Sequence, residues 1–287
     1  MLLMVVAMLM LPCIDAIAKL LGDSVPSAQV AWSRFFFQTL LMVPLVWGAA
    51  RSKNLPIHAA RGALLGIATA LFFHGLRFLE LADAISIFFV EPLLLTLLSK
   101  VVLRERVGWR RLTAVLVGFV GALIVIRPTF HSVGWPVLLP VAAAFCFAFY
   151  IILTRRAAVD EAPATMQFFS GLFGCLFMSV VLLLGMVTSQ PLLMPVMPGL
   201  NVWAALALLG FIATVGHLLV VHALKRTNAS SLAPFQYLEL VSATLLGWWL
   251  FGDFPDLPTV LGASIIVGSG LFVFHRERVV RGEPEEA

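Results

Sequence analysis

A chain of 287 residues that is 61% hydrophobic and 12% charged carries more apolar surface than a water-soluble fold of its size could hide, so most of it must sit in lipid. Its formal net charge of +4 comes from 19 Lys and Arg scattered among apolar runs rather than gathered in a stripe, which excludes a nucleic-acid interface. Cys13, Cys146 and Cys175 each lie inside such a run, which excludes a disulfide framework.

From the N-terminus, the first apolar run covers Leu2 to Leu21. Its Ala16-Ile17-Ala18 resembles a leader cleavage site, but the run lacks a basic head and recurs in kind along the chain, so it reads as a spanning helix. Further spans of about 20 residues are predicted at Ser27 to Ala49, His58 to Leu79, Ala84 to Leu103 and Trp109 to Ile126. The series continues with Gly134 to Thr154, Ala164 to Thr188, Leu200 to Leu224, Ala229 to Phe251 and Pro258 to His275. Ten spans leave short connections and a tail, and no room for a soluble domain. Pro12, Pro44, Pro92, Pro140 and Pro234 fall inside spans, where each removes a backbone hydrogen bond and makes either a hinge or ordinary curvature.

Basic residues set the orientation. With both termini in the cytoplasm, the inside connections and tail hold all but four of the 19 Lys and Arg, Arg61 among them. Arg77 and Arg127 fall outside, and Lys19 and Arg34 fall within spans.

The two halves of the chain repeat. His74 matches His222, Arg77 matches Lys225, Glu91 matches Glu239 and Glu105 matches Asp253, all at one fixed offset. A second offset pairs Lys19 with Arg156 and Pro26 with Pro163, with a longer connection between the seventh and eighth spans absorbing the difference. Five spans per half is an odd number, so residues 134–287 must enter the membrane upside down relative to residues 1–133. The expected fold is therefore all-α and membrane-integral, with ten transmembrane helices in two inverted five-helix repeats, an arrangement common among transporters.

A Glu in the fourth span of each half (Glu91-Pro92, and Glu239 in Tyr237-Leu238-Glu239) is followed by an acidic turn and a Gly-rich fifth span with Gly118 and Gly121, or Gly268 and Gly270. This layout resembles the EamA-type transporters of the drug/metabolite transporter superfamily, and among them bacterial aromatic amino-acid exporters. One departure is Leu240, where the family usually has Pro after the Glu. The resemblance implies a central cavity lined by the first, third and fourth spans of each half, with the two fifth spans packed together. It also implies export of amino acids and related metabolites across the inner membrane.

Polar groups at membrane depth face a cavity or a partner, which makes them the candidate site. Asp15 and Lys19 are four residues apart in the order that favours an ion pair on one helix face, either a substrate contact or a self-neutralising pair. His74 and His222 occupy equivalent places and could bind a carboxylate, move a proton or cap a carbonyl. Glu91 and Glu239 are intramembrane acids, and Tyr150, Gln167, Gln236 and Tyr237 can hydrogen-bond a polar solute or glue helices together. His217 lies about 140° round the helix from His222, so the two form no metal pair.

These residues favour a small zwitterion, an amino acid with an apolar or aromatic side chain, carried from the cytoplasm by alternating access. No cluster of Lys or Arg is expected at membrane depth, which disfavours phosphorylated solutes. Other small solutes (a drug, a nucleotide precursor, a polyamine) stand as alternatives, as does an integral membrane enzyme. Against an enzyme, the chain has no Gly-x-Ser-x-Gly, His-Glu-x-x-His or P-loop motif. No cofactor or metal is expected, and the unit is a monomer or homodimer in the bilayer.

Overall fold

The computed structural model describes residues 1–47, 52, 54–102, 108–157, 161–226 and 235–281. The acidic turn expected at Glu105, with Arg104 and Arg106, lies outside them, as do Arg51, Lys53 and Pro234. Among the described residues all regular structure is helical, with no strand.

The first expected span is two helices, α1 (Leu2–Met10) and α2 (Pro12–Leu21). Leu11 between them keeps helical dihedrals, so winding continues and only the hydrogen bond that Pro12 cannot donate is lost. Next come α3 (Ser27–Val46) and α4 (Leu55–Gly75). The fourth span divides into α5 (Leu81–Phe88) and α6 (Glu91–Val102), parted at Phe89 and Val90 just before Pro92.

The helix α7 (Trp109–Val133) runs past the expected end at Ile126, taking Arg127 and Pro128 into the helix rather than a loop. Thr129 anchors this extension by donating to the Val125 carbonyl and to Asp83. After a 3-10 turn (Trp135–Val137) come α8 (Leu138–Ala157), α9 (Pro163–Thr188), α10 (Leu200–Arg226), α11 (Leu238–Phe251) and α12 (Leu257–Arg281).

Among the described residues, 7 helices are long and apolar enough to cross a membrane, fewer than the ten expected. The polar residues Gln29, Ser33, Arg34 and Gln38 lower the hydropathy of α3; all four are buried, so its polar face meets protein rather than lipid. The other two differ in length, α11 having 14 residues and the apolar part of α12 ending at Phe272. Outward-facing Leu116, Val120 and Leu123 of α7, and Leu176, Leu183 and Val187 of α9, are exposed, as lipid contact requires. The chain is a multi-pass membrane protein.

Helix packing closes the bundle. α7 lies along α12, α3 along α9, and α4 along α8 and α9; α10 packs on α1, α2 and α3, α6 on α8, and α11 on α1, α2 and α5. The α7–α12 seam brings backbone onto backbone. A Cβ on Gly121 would stand 2.8 Å from the Gly262 carbonyl oxygen, and one on Gly262 would stand 2.6 Å from that of Gly121.

Candidate functional site: a central cavity

A cavity of about 630 Å³ occupies the middle of the bundle. Its walls take Arg61 to Phe73 from α4, Phe147 to Arg155 from α8 and His217 to Val221 from α10, so it is displaced toward the helix ends that carry Arg155 and Arg156. Phe72, Phe73, Phe88, Phe89 and Phe147 supply aromatic walls.

Three carboxylates reach it, each from the first turn of a helix: Asp15 of α2, Glu91 of α6 and Glu239 of α11. Glu91 follows the interruption at Phe89 and Val90, while Glu239 follows Tyr237, whose dihedrals stay helical. Asp15 lies within Coulombic reach of both Glu239 and Arg34. Oε1 of Glu91 is buried with no hydrogen-bond partner.

Three arginines reach the same cavity: Arg34 and Arg61, which are buried, and Arg155 near the end of α8. Arg34 of α3, 8% exposed, donates from Nη1 to Thr69 Oγ1 at 2.6 Å, while its Nε is buried without a partner. Arg61 of α4 donates from Nε to Thr154 Oγ1 at 2.9 Å and from Nη1 to His58 Nδ1 at 2.8 Å, and lies over the Tyr150 ring at 5.3 Å. Arginine has no acceptor, so His58 must accept at Nδ1 and carry its proton on Nε2. From there it donates to Glu161 Oε2 at 2.6 Å, and Ser52 Oγ donates to the other oxygen of that carboxylate. His217 also lines the cavity and donates from Nδ1 to the Ala213 carbonyl at 2.7 Å.

Of the residues expected at the site, Asp15, Glu91, Tyr150, Gln236, Tyr237 and Glu239 line this cavity, and Gln167 does too. The two matched histidines do not. His74, at the end of α4, meets Ser27 Oγ at 3.4 Å and the edge of Phe78, and His222 is exposed and donates to its own helix at Leu218 O. The expected Asp15–Lys19 pair is replaced by another. Lys19 reaches Asp253 at 2.9 Å and the Leu79 carbonyl at 2.9 Å, over the Phe251 ring at 4.7 Å. The turn at Gly252, with φ of 73°, folds Asp253 back toward α2, whereas Asp15 stays a turn deeper in the protein.

The Lys19 clasp lies at the end of the bundle away from the cavity. Beside it Asp83 accepts from Thr259 and Thr129, and Glu80, between spans, is held above its ordinary carboxylate range by partial burial and then by neighbouring Asp83 and Asp253.

Sequence reasoning passed over Arg34, Gln38, Arg61, Thr69 and His217 as cavity residues. It also placed Arg61 in a cytoplasmic connection, whereas the structure buries it inside α4. The signal for Arg34 was present as a lone Arg in mid-span with Gln29, Ser33 and Gln38 on neighbouring turns.

Comparison with known proteins places these features in context. The model of the EamA-like transporter family matches residues 1–127 and again residues 134–275. The S-adenosylmethionine uptake transporter of Rickettsia bellii is 30% identical over 92% of this chain and 89% of its own, and that of Rickettsia prowazekii is 28% identical over 92% and 88%. The riboflavin transporter of Vibrio cholerae is 30% identical over 86% of this chain and 83% of its own. A protein of known crystal structure superposes with a TM-score of 0.64 at 19% identity, covering 98% of each chain, which shows a shared fold.

Proposed function

The chain belongs to the EamA-like transporter family, a transporter rather than an enzyme, and on that premise we propose a secondary carrier of the inner membrane for a small zwitterion with a flat aromatic part. The observation that carries this reading is the cavity itself. Asp15, Glu91 and Glu239 face one space with the guanidinium groups of Arg34 and Arg61, between walls of Phe, and among the described residues none of these five stands at ion-pair distance from another. An ammonium or sulfonium suits the acids, a carboxylate suits the arginines, and a planar ring suits the Phe.

Aromatic amino acids, the class expected from sequence, meet this description, and so does S-adenosylmethionine, the cargo in the Rickettsia relatives' name. Riboflavin supplies only the flat ring. Those relatives are named for uptake and the sequence reading favours export; a carrier that rocks around a midplane site runs down whichever gradient it is given.

We propose further that the helices form two inverted five-span repeats, residues 1–133 and 134–287, with both termini cytoplasmic. The principal contacts between the halves support this, since exchanging first for sixth, second for seventh and so on turns α4·α8 into α10·α1, and α4·α9 into α10·α3. The same exchange leaves α3·α9 and α7·α12 unchanged. The distribution of Lys and Arg supports the orientation, in which the cavity is displaced to the cytoplasmic side and the clasp closes the outside. One chain supplies every wall of the cavity, so a monomer can carry the site.

Counterflow into proteoliposomes with S-adenosylmethionine, tryptophan, phenylalanine and riboflavin tests the solute class. Saturable transport of at least one zwitterion is expected; transport of a sugar phosphate in preference to all of them would end this reading.

A further inference from the structure

We propose that Arg34 is the residue that fixes the carboxylate of the transported solute, held for that task by Thr69; this rests on the zwitterion reading above. Arg34 is a cation with 8% of its surface exposed, on a helix that turns its polar residues into the protein. A guanidinium offers five N–H donors. Here Nη1 is bonded to Thr69, Nε has no partner, and among the described residues no carboxylate lies within ion-pair distance. Asp15 answers that cation only from beyond ion-pair distance, so an anion that reaches the free Nε relieves the remaining cost of burying it.

The neighbourhood decides what kind of anion fits. Tyr150 lines the same cavity and brings a hydroxyl donor to it. Asp15, within Coulombic reach of the guanidinium, opposes a second negative charge. A planar, singly charged carboxylate can take the guanidinium fork while its own ammonium turns toward Asp15 and Glu239, whereas a phosphate dianion would face Asp15 uncompensated.

Arg61 has a different part. Its charge is already answered through His58 by Glu161, and Nε and Nη1 are committed to Thr154 and His58. It braces Tyr150 from the other side rather than waiting for a ligand.

The test uses matched pairs that differ only in the carboxylate: tryptophan against tryptamine, and S-adenosylmethionine against its decarboxylated form. Binding of each is measured on purified wild type, Arg34→Gln, Arg34→Lys and Thr69→Val, with monodispersity in detergent as the check on folding. Wild type is expected to prefer the carboxylate-bearing member. Arg34→Gln should weaken that member about 10- to 100-fold, the worth of a charge-assisted fork, and leave the decarboxylated member within about twofold.

Arg34→Lys, which keeps the charge and loses the fork, should show a smaller loss with the same selectivity, and it decides the matter if the Gln variant does not fold. Thr69→Val should weaken carboxylate binding more mildly. Equal loss of both members, or no loss of either, overturns the assignment while leaving the carrier reading in place. Failure of wild type to bind any member of either pair removes that reading, and the assignment with it.

Discussion

Removing the Lys19 charge should open the end of the bundle that the structure shows closed. Lys19 Nζ and Asp253 Oδ2 are 2.9 Å apart, which at an effective dielectric constant near 20 is worth about 6 kcal/mol before desolvation. The side chains are 17% and 28% exposed, so water screens the pair and supplies part of what it would lose on separation. A net contribution of about 1–2 kcal/mol to the closed arrangement is what a partly buried, hydrogen-bonded pair retains. Lys19→Met keeps the stem against Phe251 but removes the donor to Asp253 and to the Leu79 carbonyl, and should shift the closed-to-open ratio about 5- to 30-fold toward open. The assay is the rate at which a membrane-impermeant maleimide, added on the clasp side, labels a single cysteine placed at cavity-lining Ile85. Asp253→Asn should raise that rate similarly, and the double variant no further than the larger single change. Rates that stay at the wild-type value in both single variants, with the protein folded, would refute the assignment of the clasp as a gate.

Three further outcomes follow from other parts of the molecule. Gly262→Ala should lower stability by about 1–3 kcal/mol, because the added Cβ meets the Gly121 backbone oxygen, which has no rotamer to change; a melting temperature in detergent equal to wild type would contradict this. Glu161→Ala should cost about 2–4 kcal/mol by leaving the buried His58 and Arg61 without their counter-charge, and a shift under about 0.5 kcal/mol in the same measurement would show the chain of bonds to be idle. Glu80 is harder to ionise in the closed arrangement than in free solution, so that arrangement holds the proton more tightly. Acidification on that side should therefore slow Ile85→Cys labelling, a rise in pH through the carboxylate range should speed it, and Glu80→Gln should flatten the dependence.

Apolar run lengths, Gly and Pro placement and the repeated Glu made the family legible, because each is a direct requirement of the bilayer or of close helix packing. The internal division of spans was less so. Pro92 marks the interruption at Phe89–Val90 and Pro12 the hydrogen bond lost after Leu11, but which acids then meet the cavity depends on which turn faces the centre. The arginines were missed for a different reason. Charge bias assigns basic residues to loops, and Arg61 stands one turn inside α4, drawn in by His58 and Thr154, which lie far away in sequence from each other. His74 and His222 match in sequence but differ in surroundings, His74 meeting Ser27 of α3 and His222 being exposed and bonded to its own helix.

The glycine seam between α7 and α12 lies apart from the chamber. α7 contributes nothing to the cavity walls, and α12 contributes only Gly270 and Leu271. The closest backbone seam between the halves is thus carried on helices that scarcely meet the cavity, whereas α3, α4, α8 and α10 both line it and pack across the halves. A cavity residue such as Phe72 can therefore change without touching the Gly121–Gly262 approach, whereas Gln38 donates to the Gln167 carbonyl of α9 and Tyr237 abuts Gly270 of α12.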